Sequence, residues 1–262
     1  MTSRLLVKPD RHRHTVVTPQ SAGWTYVGFE LGWIAAGDTL TERTDDRELC
    51  LVFVSGKGRV TVGGRDFGEL GRRMSPFDGP PAAVYVPPDT EWSVTATTEL
   101  ELAGCTAPGD GGAYPARVID VPPQFERGKG SNLRLVTNIL PETDTGAHSL
   151  LVVEVITPGG HSSSYPPHKH DRDAWPDETL LEETYYHRLN PGSGFAFQRV
   201  YTDDRTLDDA ITIEDGDVVL VPRGYHPCVA PHGYDLYYLN VMAGPKRVWK
   251  FHNDPAHEWL LK

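Results

Sequence analysis

The chain has 262 residues and a formal net charge of −11, from 25 lysines and arginines against 36 aspartates and glutamates. That balance excludes nucleic acid as a partner, because phosphate binding needs a basic patch, and it leaves an anionic substrate to be drawn in by local cations or a metal. No apolar stretch spans a bilayer, residues 1–4 carry no signal-like apolar core, and Cys50, Cys105 and Cys228 are odd in number and far apart, so a reduced cytoplasmic protein is expected.

The 26 glycines and 22 prolines are spread between short apolar runs, which predicts an all-β sandwich or barrel with little helix. Residues 1–19 read as a polar, solvated arm; its His12-Arg-His14 lacks a partnering ligand segment nearby. Residues 20–107 form a first β half, with strands expected at 24–34, 47–56 and 60–62, and at 82–94 around a Pro87-Pro88 turn. Residues 108–130 are a linker, opened by Pro108-Gly-Asp-Gly-Gly-Ala-Tyr-Pro115. Phe125-Glu-Arg-Gly-Lys-Gly-Ser-Asn-Leu-Arg134 is read equally as an anion-contacting loop or as a solvated connector. Residues 131–262 form the second β half, with at most a helical turn or two at 207–210 and a short helix at 254–260, where Asp254 is the N-cap and Pro255 the first helical residue.

Two segments of this second half carry chemistry. In Tyr165-Pro-Pro-His-Lys-His-Asp171 the histidines are two apart, so on a strand His168 and His170 share a face and Lys169 points away. Residues 181–187 then open a strand with Glu182 and Glu183. In Gly216-Asp-Val-Val-Leu-Val-Pro-Arg-Gly-Tyr-His226 an apolar strand ends in a turn that delivers His226. Three imidazoles and a carboxylate form a first shell for a borderline divalent metal.

These segments resemble the paired motifs of the cupin superfamily, G-x5-H-x-H-x3,4-E-x6-G and G-x5-P-x-G-x2-H. Gly216, Pro222, Gly224 and His226 match the second motif, with one residue instead of two before the histidine. His168 and His170 match the first, with a longer gap to the glutamate, and alignment with its aromatic strand favours Glu183 over Glu182 as ligand. The upstream half echoes the pattern in Glu48 and residues 84–92, but Trp92 stands at the histidine position and no His-x-His precedes Glu48. The resemblance therefore implies a bicupin, two β-barrel or jelly-roll domains, whose N-terminal half has no metal site.

A closer resemblance rests on Ser163-Ser-Tyr-Pro-Pro-His-Lys-His-Asp171, Gln198-Arg-Val-Tyr-Thr-Asp-Asp204, residues 216–227 and Tyr234-Asp-Leu-Tyr-Tyr-Leu-Asn-Val-Met-Ala-Gly-Pro245, with Arg127-Gly-Lys-Gly130 further upstream. These are similar to 5-deoxy-glucuronate isomerases of inositol catabolism. The resemblance implies a ketol-isomerase that takes 5-deoxy-D-glucuronate to 5-dehydro-2-deoxy-D-gluconate. Such a reaction moves a proton between adjacent carbons through an enediol, and a metal at His168, His170, Glu183 and His226 would polarise the carbonyl and hydroxyl; redox activity is unnecessary, so zinc or manganese would serve.

The general base stays open among Glu182, Asp171, Tyr165, Tyr225 and Asp235, with Asp171 alternatively orienting a histidine. For the substrate carboxylate the nearest cations are Arg199, Arg223 and Lys169, with Tyr165 and Tyr201 beside them; Arg199 is weighed evenly against a structural ion pair. The tyrosines 185, 186, 237 and 238 read as barrel wall. Rival readings are a 4-deoxy-5-ketouronate isomerase, a mononuclear iron dioxygenase and a non-catalytic sugar-binding bicupin. A C2 homodimer is the expected assembly.

Overall fold

Alternation of buried and exposed side chains, as in Glu91–Ala96 and Ala196–Tyr201, produces strands with one wet and one dry face, whereas Arg47–Ser55 and Asp235–Ala243 bury both faces and run through the middle of their sheets. The computed structural model describes residues 3–10, 12–109 and 114–261; residues 110–113 of the expected linker and the extreme termini lie outside the described residues. No described helix is long and apolar enough to cross a membrane.

The chain divides into two compact units. One comprises Pro9–Gln124 with Thr137–Val153. Its six-stranded sheet runs in the order Arg117–Val118, Ala82–Val86, Arg47–Ser55, Leu100–Pro108, Gly28–Ile34, Thr15–Val17, and a four-stranded sheet orders Thr39–Arg43, Glu91–Ala96, Gly58–Val62, Arg65–Leu70. Leu49, Leu51, Phe53, Val60, Val84, Val94 and Leu100 pack into one core, and Trp92 joins it at 4% exposure. Glu48, the acidic echo of the first motif, is fully buried for a structural reason. Its Oε1 accepts the amides of Ser149 and Leu150 at 2.6 Å each, and its Oε2 accepts the amide of His148 and the Tyr85 hydroxyl at 2.8 Å.

The other unit comprises the chain up to Lys8, Phe125–Val136 and Glu154 onward. A seven-stranded sheet orders Leu6–Val7, Val218–Val221, Glu182–Asn190, Asp235–Ala243, Leu151–Thr157, Arg134–Leu140, Phe125–Arg127. A four-stranded sheet orders Ser162–Ser163, Cys228–Val229, Ala196–Tyr201, Asp208–Ile213, and His168–Lys169 pairs with His252–Asn253.

Three local expectations change. The N-terminal arm is built into the sheets, because its β-branched and aliphatic runs find open edges: Leu6 pairs with Val219, and Thr15–Val17 pairs with the Gly28–Ile34 strand. The turn expected at 207–210 is the start of the strand Asp208–Ile213, where pairing with Ala196–Tyr201 overrides local preference. The C-terminal helix forms as a 3-10 helix over Pro255–Leu261, with Asp254 Oδ1 accepting the Ala256 amide at 2.9 Å.

Candidate metal centre and substrate pocket

Sheet register brings the four expected ligands together. His168 and His170 leave one face of their short extended segment. Glu183 lies in Glu182–Asn190, opposite Val221 of the next strand. That next strand turns through Pro222 and Gly224 to present His226, and the Tyr201–Tyr225 backbone pair, 2.8 and 2.9 Å, pins the turn. Gly224 has φ +89° and a Cβ there would come within 2.5 Å of the Tyr201 carbonyl, so the turn requires glycine.

The nearest ring nitrogens of His168, His170 and His226 lie within 4.8 Å of one another, and these three are the group so placed among the described residues. Glu183 Oε2 lies 3.2 Å from His170 Nε2 and 3.3 Å from His226 Nε2. All four side chains are at most 9% exposed. Each Nδ1 is engaged by a backbone carbonyl: Pro166 for His168 at 3.4 Å, Leu181 for His170 at 3.0 Å, Gly224 for His226 at 2.8 Å. Those contacts set Nδ1–H as donor and leave Nε2 to the interior, where that of His170 meets Glu183 and that of His226 is a bare lone pair. The buried Nε2 of His226 makes no hydrogen bond to any of the described residues.

Electrostatics agree with a cation-ready shell. Burial, then the neighbouring imidazoles, holds His168 well below its ordinary range, and burial pushes His226 down to about 4. Burial also lowers His170, but its hydrogen bond and charge attraction with Glu183 outweigh that, and its net shift is upward. Two imidazoles held neutral by burial, a third paired with one buried carboxylate, and an unpartnered inward Nε2 on His226 fit a divalent metal.

Around the shell, the Phe251 ring sits 4.6 Å from His168 and the Tyr185 ring 5.8 Å from His226. Tyr185 packs on Tyr238 at 5.0 Å and its hydroxyl lies 3.1 Å from Ser164 Oγ. Burial raises both phenols far above neutral pH, so they remain O–H donors. Tyr186 and Tyr237 are wholly buried, and Tyr237 donates to Glu154 at 3.0 Å. His187 stacks on Tyr185 and shares a 3.2 Å hydrogen bond with Gln198, whose amide donates to the His226 carbonyl at 3.3 Å.

The other sequence candidates divide sharply. Lys169 Nζ lies 2.7 Å from Asp203 and 3.2 Å from Asp171. Arg199, half-exposed, forms a two-pronged 2.8 Å pair with Asp208. Arg223 is exposed and reaches Thr206 at 3.4 Å. Tyr201 donates to Asp254 and stacks on Tyr225, whose hydroxyl donates to Asp203 at 2.8 Å. Asp171 Oδ2 accepts the Gly224 amide and Asp235 accepts the Gly159 amide. Tyr165 is half-buried on the loop before His168. Glu182, 7% exposed, follows the strand alternation and leaves from the face opposite Glu183.

Two arginines of the Phe125–Arg134 run, read from the sequence equally as an anion-contacting loop or a connector, lie beside side chains that pack on the shell. Arg127 and Arg134 face each other across the strand pair Phe125–Arg127 and Arg134–Leu140. The Arg127 guanidinium lies 6.0 Å from the centre of the Phe251 ring. Arg134 is 8% exposed beside Tyr185 and Tyr238. Their shared sequence signal is the glycine-punctuated cationic run that contains both, and Arg127 also opens the Arg127-Gly-Lys-Gly130 segment of the family resemblance.

The sequence profile of the KduI/IolB family matches residues 5–260. A 5-deoxy-glucuronate isomerase of Geobacillus kaustophilus is 53% identical over 269 residues, covering 99% of this chain and 96% of the relative. That of Bacillus subtilis strain 168 is 48% identical over 271 residues, covering 99% of each. A crystal structure of an IolB-like protein from Salmonella typhimurium LT2 matches with a TM-score of 0.96 at 50% identity, over 99% of this chain and 100% of that one. Oxalate decarboxylase of Bacillus subtilis matches with a TM-score of 0.68 at 12% identity, over 97% and 80%, a likeness of fold alone. With a profile match over nearly the whole chain and relatives about half identical to it, this two-unit β protein belongs to the KduI/IolB family.

Proposed function

We propose that the chain is a metal-dependent aldose–ketose isomerase that converts 5-deoxy-D-glucuronate to 5-dehydro-2-deoxy-D-gluconate in myo-inositol catabolism. The observation that carries the reading is the convergence of His168, His170, Glu183 and His226 in a chain whose end-to-end relatives are 5-deoxy-glucuronate isomerases. A divalent ion held there, zinc or manganese, would supply Lewis acidity to the substrate's carbonyl and adjacent hydroxyl.

The protein's own residues do the rest. The three backbone carbonyls fix the imidazole tautomers so that Nε2 faces the ion. Tyr185 and Tyr238, kept protonated by burial, offer hydrogen bonds to the sugar's oxygens as charge develops in the enediol. Phe251 and the tyrosine rings exclude water from the reacting carbons. Asp171 and Tyr225, weighed above as bases, act by positioning: one holds the Gly224 turn and the other the Asp203–Lys169 pair.

The test is metal analysis of the wild type and His168→Ala, with turnover of 5-deoxy-D-glucuronate under anaerobic conditions and of 4-deoxy-5-ketouronate in parallel. About one metal per chain, lost in the variant together with oxygen-independent isomerisation, is expected. Activity that requires oxygen, or turnover of the ketouronate alone, overturns the assignment.

A further inference from the structure

A cation that stays buried in a folded protein has an anion or several carbonyls around it, since an uncompensated charge away from water is costly. The other enclosed arginines of this chain follow that rule. Arg73 is satisfied by the carbonyls of Val54, Pro76 and Gly79, Arg117 by Asp144 and Arg188 by Asp215. Arg134 does not. Among the described residues its one hydrogen bond runs to the carbonyl of Asn132, 3.0 Å away in the short 3-10 helix before its strand, and the groups that act on its charge are the phenols of Tyr238 and Tyr185 and a second guanidinium, Arg127.

The pairing of Arg127 with Arg134 makes the case stronger. Like charges directly opposite each other on neighbouring strands destabilise a sheet. Here they stand in register on adjacent antiparallel strands, with no carboxylate bound to either among the described residues. Gly128 helps to hold the arrangement: a Cβ at that position would come within 2.8 Å of the Arg134 guanidinium. Both arginines lie beside side chains that pack on the metal-binding histidines. Arg127 approaches Phe251, which packs on His168, and Arg134 lies by Tyr185, which packs near His226. Meanwhile Lys169 and Arg199 are already neutralised by aspartates, and Arg223 is exposed in its turn and reaches Thr206. In a chain of net charge −11, an open cationic pair of this kind is a local attractor for an anion.

We infer that Arg134 and Arg127 form the subsite for the substrate's carboxylate, Arg134 as the fixed inner contact and Arg127 as the outer one, while the opposite, carbonyl end of the sugar acid meets the metal. This assignment rests on the reading of the chain as a uronate isomerase. It makes the pair a specificity device: a neutral aldose of the same length leaves the two guanidinium groups without their anion.

The experiment compares wild type, Arg134→Gln, Arg134→Lys and Arg127→Gln on 5-deoxy-D-glucuronate and on the neutral 5-deoxy-D-glucose, with metal content measured for each. Calorimetric binding of D-glucuronate and of inorganic phosphate is followed alongside. Loss of a charge-assisted hydrogen bond predicts a rise of about 10- to 100-fold in KM for the uronate, an unchanged response to the neutral sugar and unchanged metal content. Arg127→Gln, at an exposed position, gives the same direction with a smaller rise and covers the case in which Arg134→Gln fails to fold. Tight binding of phosphate but not glucuronate would reassign the pair to a phosphate and overturn the proposal, as would wild-type uronate KM in both glutamine variants. If the wild type fails to isomerise the uronate, the functional reading falls separately; glucuronate binding that still depends on Arg134 would then leave the subsite standing.

Discussion

Asp171 accepts the backbone amide of Gly224 at 2.9 Å, so the carboxylate that follows the His168–His170 pair holds the turn that carries His226. Its other oxygen meets Lys169, and its own amide donates to the buried Glu178 at 2.8 Å. The two halves of the ligand set are thereby locked to each other. Asp171→Ala is expected to weaken metal affinity by about 10- to 100-fold with the fold preserved. Chelator competition and circular dichroism on the same samples check this; wild-type affinity would remove Asp171 from the positioning role.

Strand alternation separates the two adjacent glutamates. Glu183→Gln removes the carboxylate that meets His170 and His226, and the bound metal is expected to fall well below one per chain. Glu182→Gln, on the other face, should retain it. Elemental analysis decides, and the reverse pattern would exchange their roles.

His187 provides a pH signature outside the ligand shell. Burial pushes it down to about 3 from an ordinary value of 6.5. Between those values the unfolded chain holds a proton on this group that the folded chain does not, so stability falls as pH falls through 6.5 toward 3. One such proton contributes a slope of up to about 1.4 kcal/mol per pH unit. Urea unfolding at a series of pH values should show a shallower slope for His187→Gln than for wild type. Parallel slopes would mean that His187 does not titrate differently in the two states.

Glu48 should be a stability determinant without a catalytic role. Glu48→Gln replaces an acceptor of three amides and a phenol with a group that has one acceptor oxygen, and is expected to cost about 2–4 kcal/mol while leaving metal content unchanged. The urea midpoint and metal analysis together test it.

Much of this site can be read along the chain because its geometry is local. A two-residue histidine spacing sets a shared face on any extended segment, adjacent glutamates must diverge, and Gly224 marks a turn that no side chain fits. The fate of each cation is a different kind of property. Arg199 is neutralised by Asp208 because two strands pair in one register, and Lys169 by Asp203, which lies 34 residues away. Arg134 is distinguished by the lack of any such acid among the described residues, which a linear sequence with 36 acidic residues cannot display. The all-β class follows from the sequence itself, since periodicity acts over a few residues of backbone, and the family from the resemblance of long motifs. Which charges remain open to a substrate was decided only by the tertiary structure, because compensation depends on distances of a few ångströms between residues far apart in the chain.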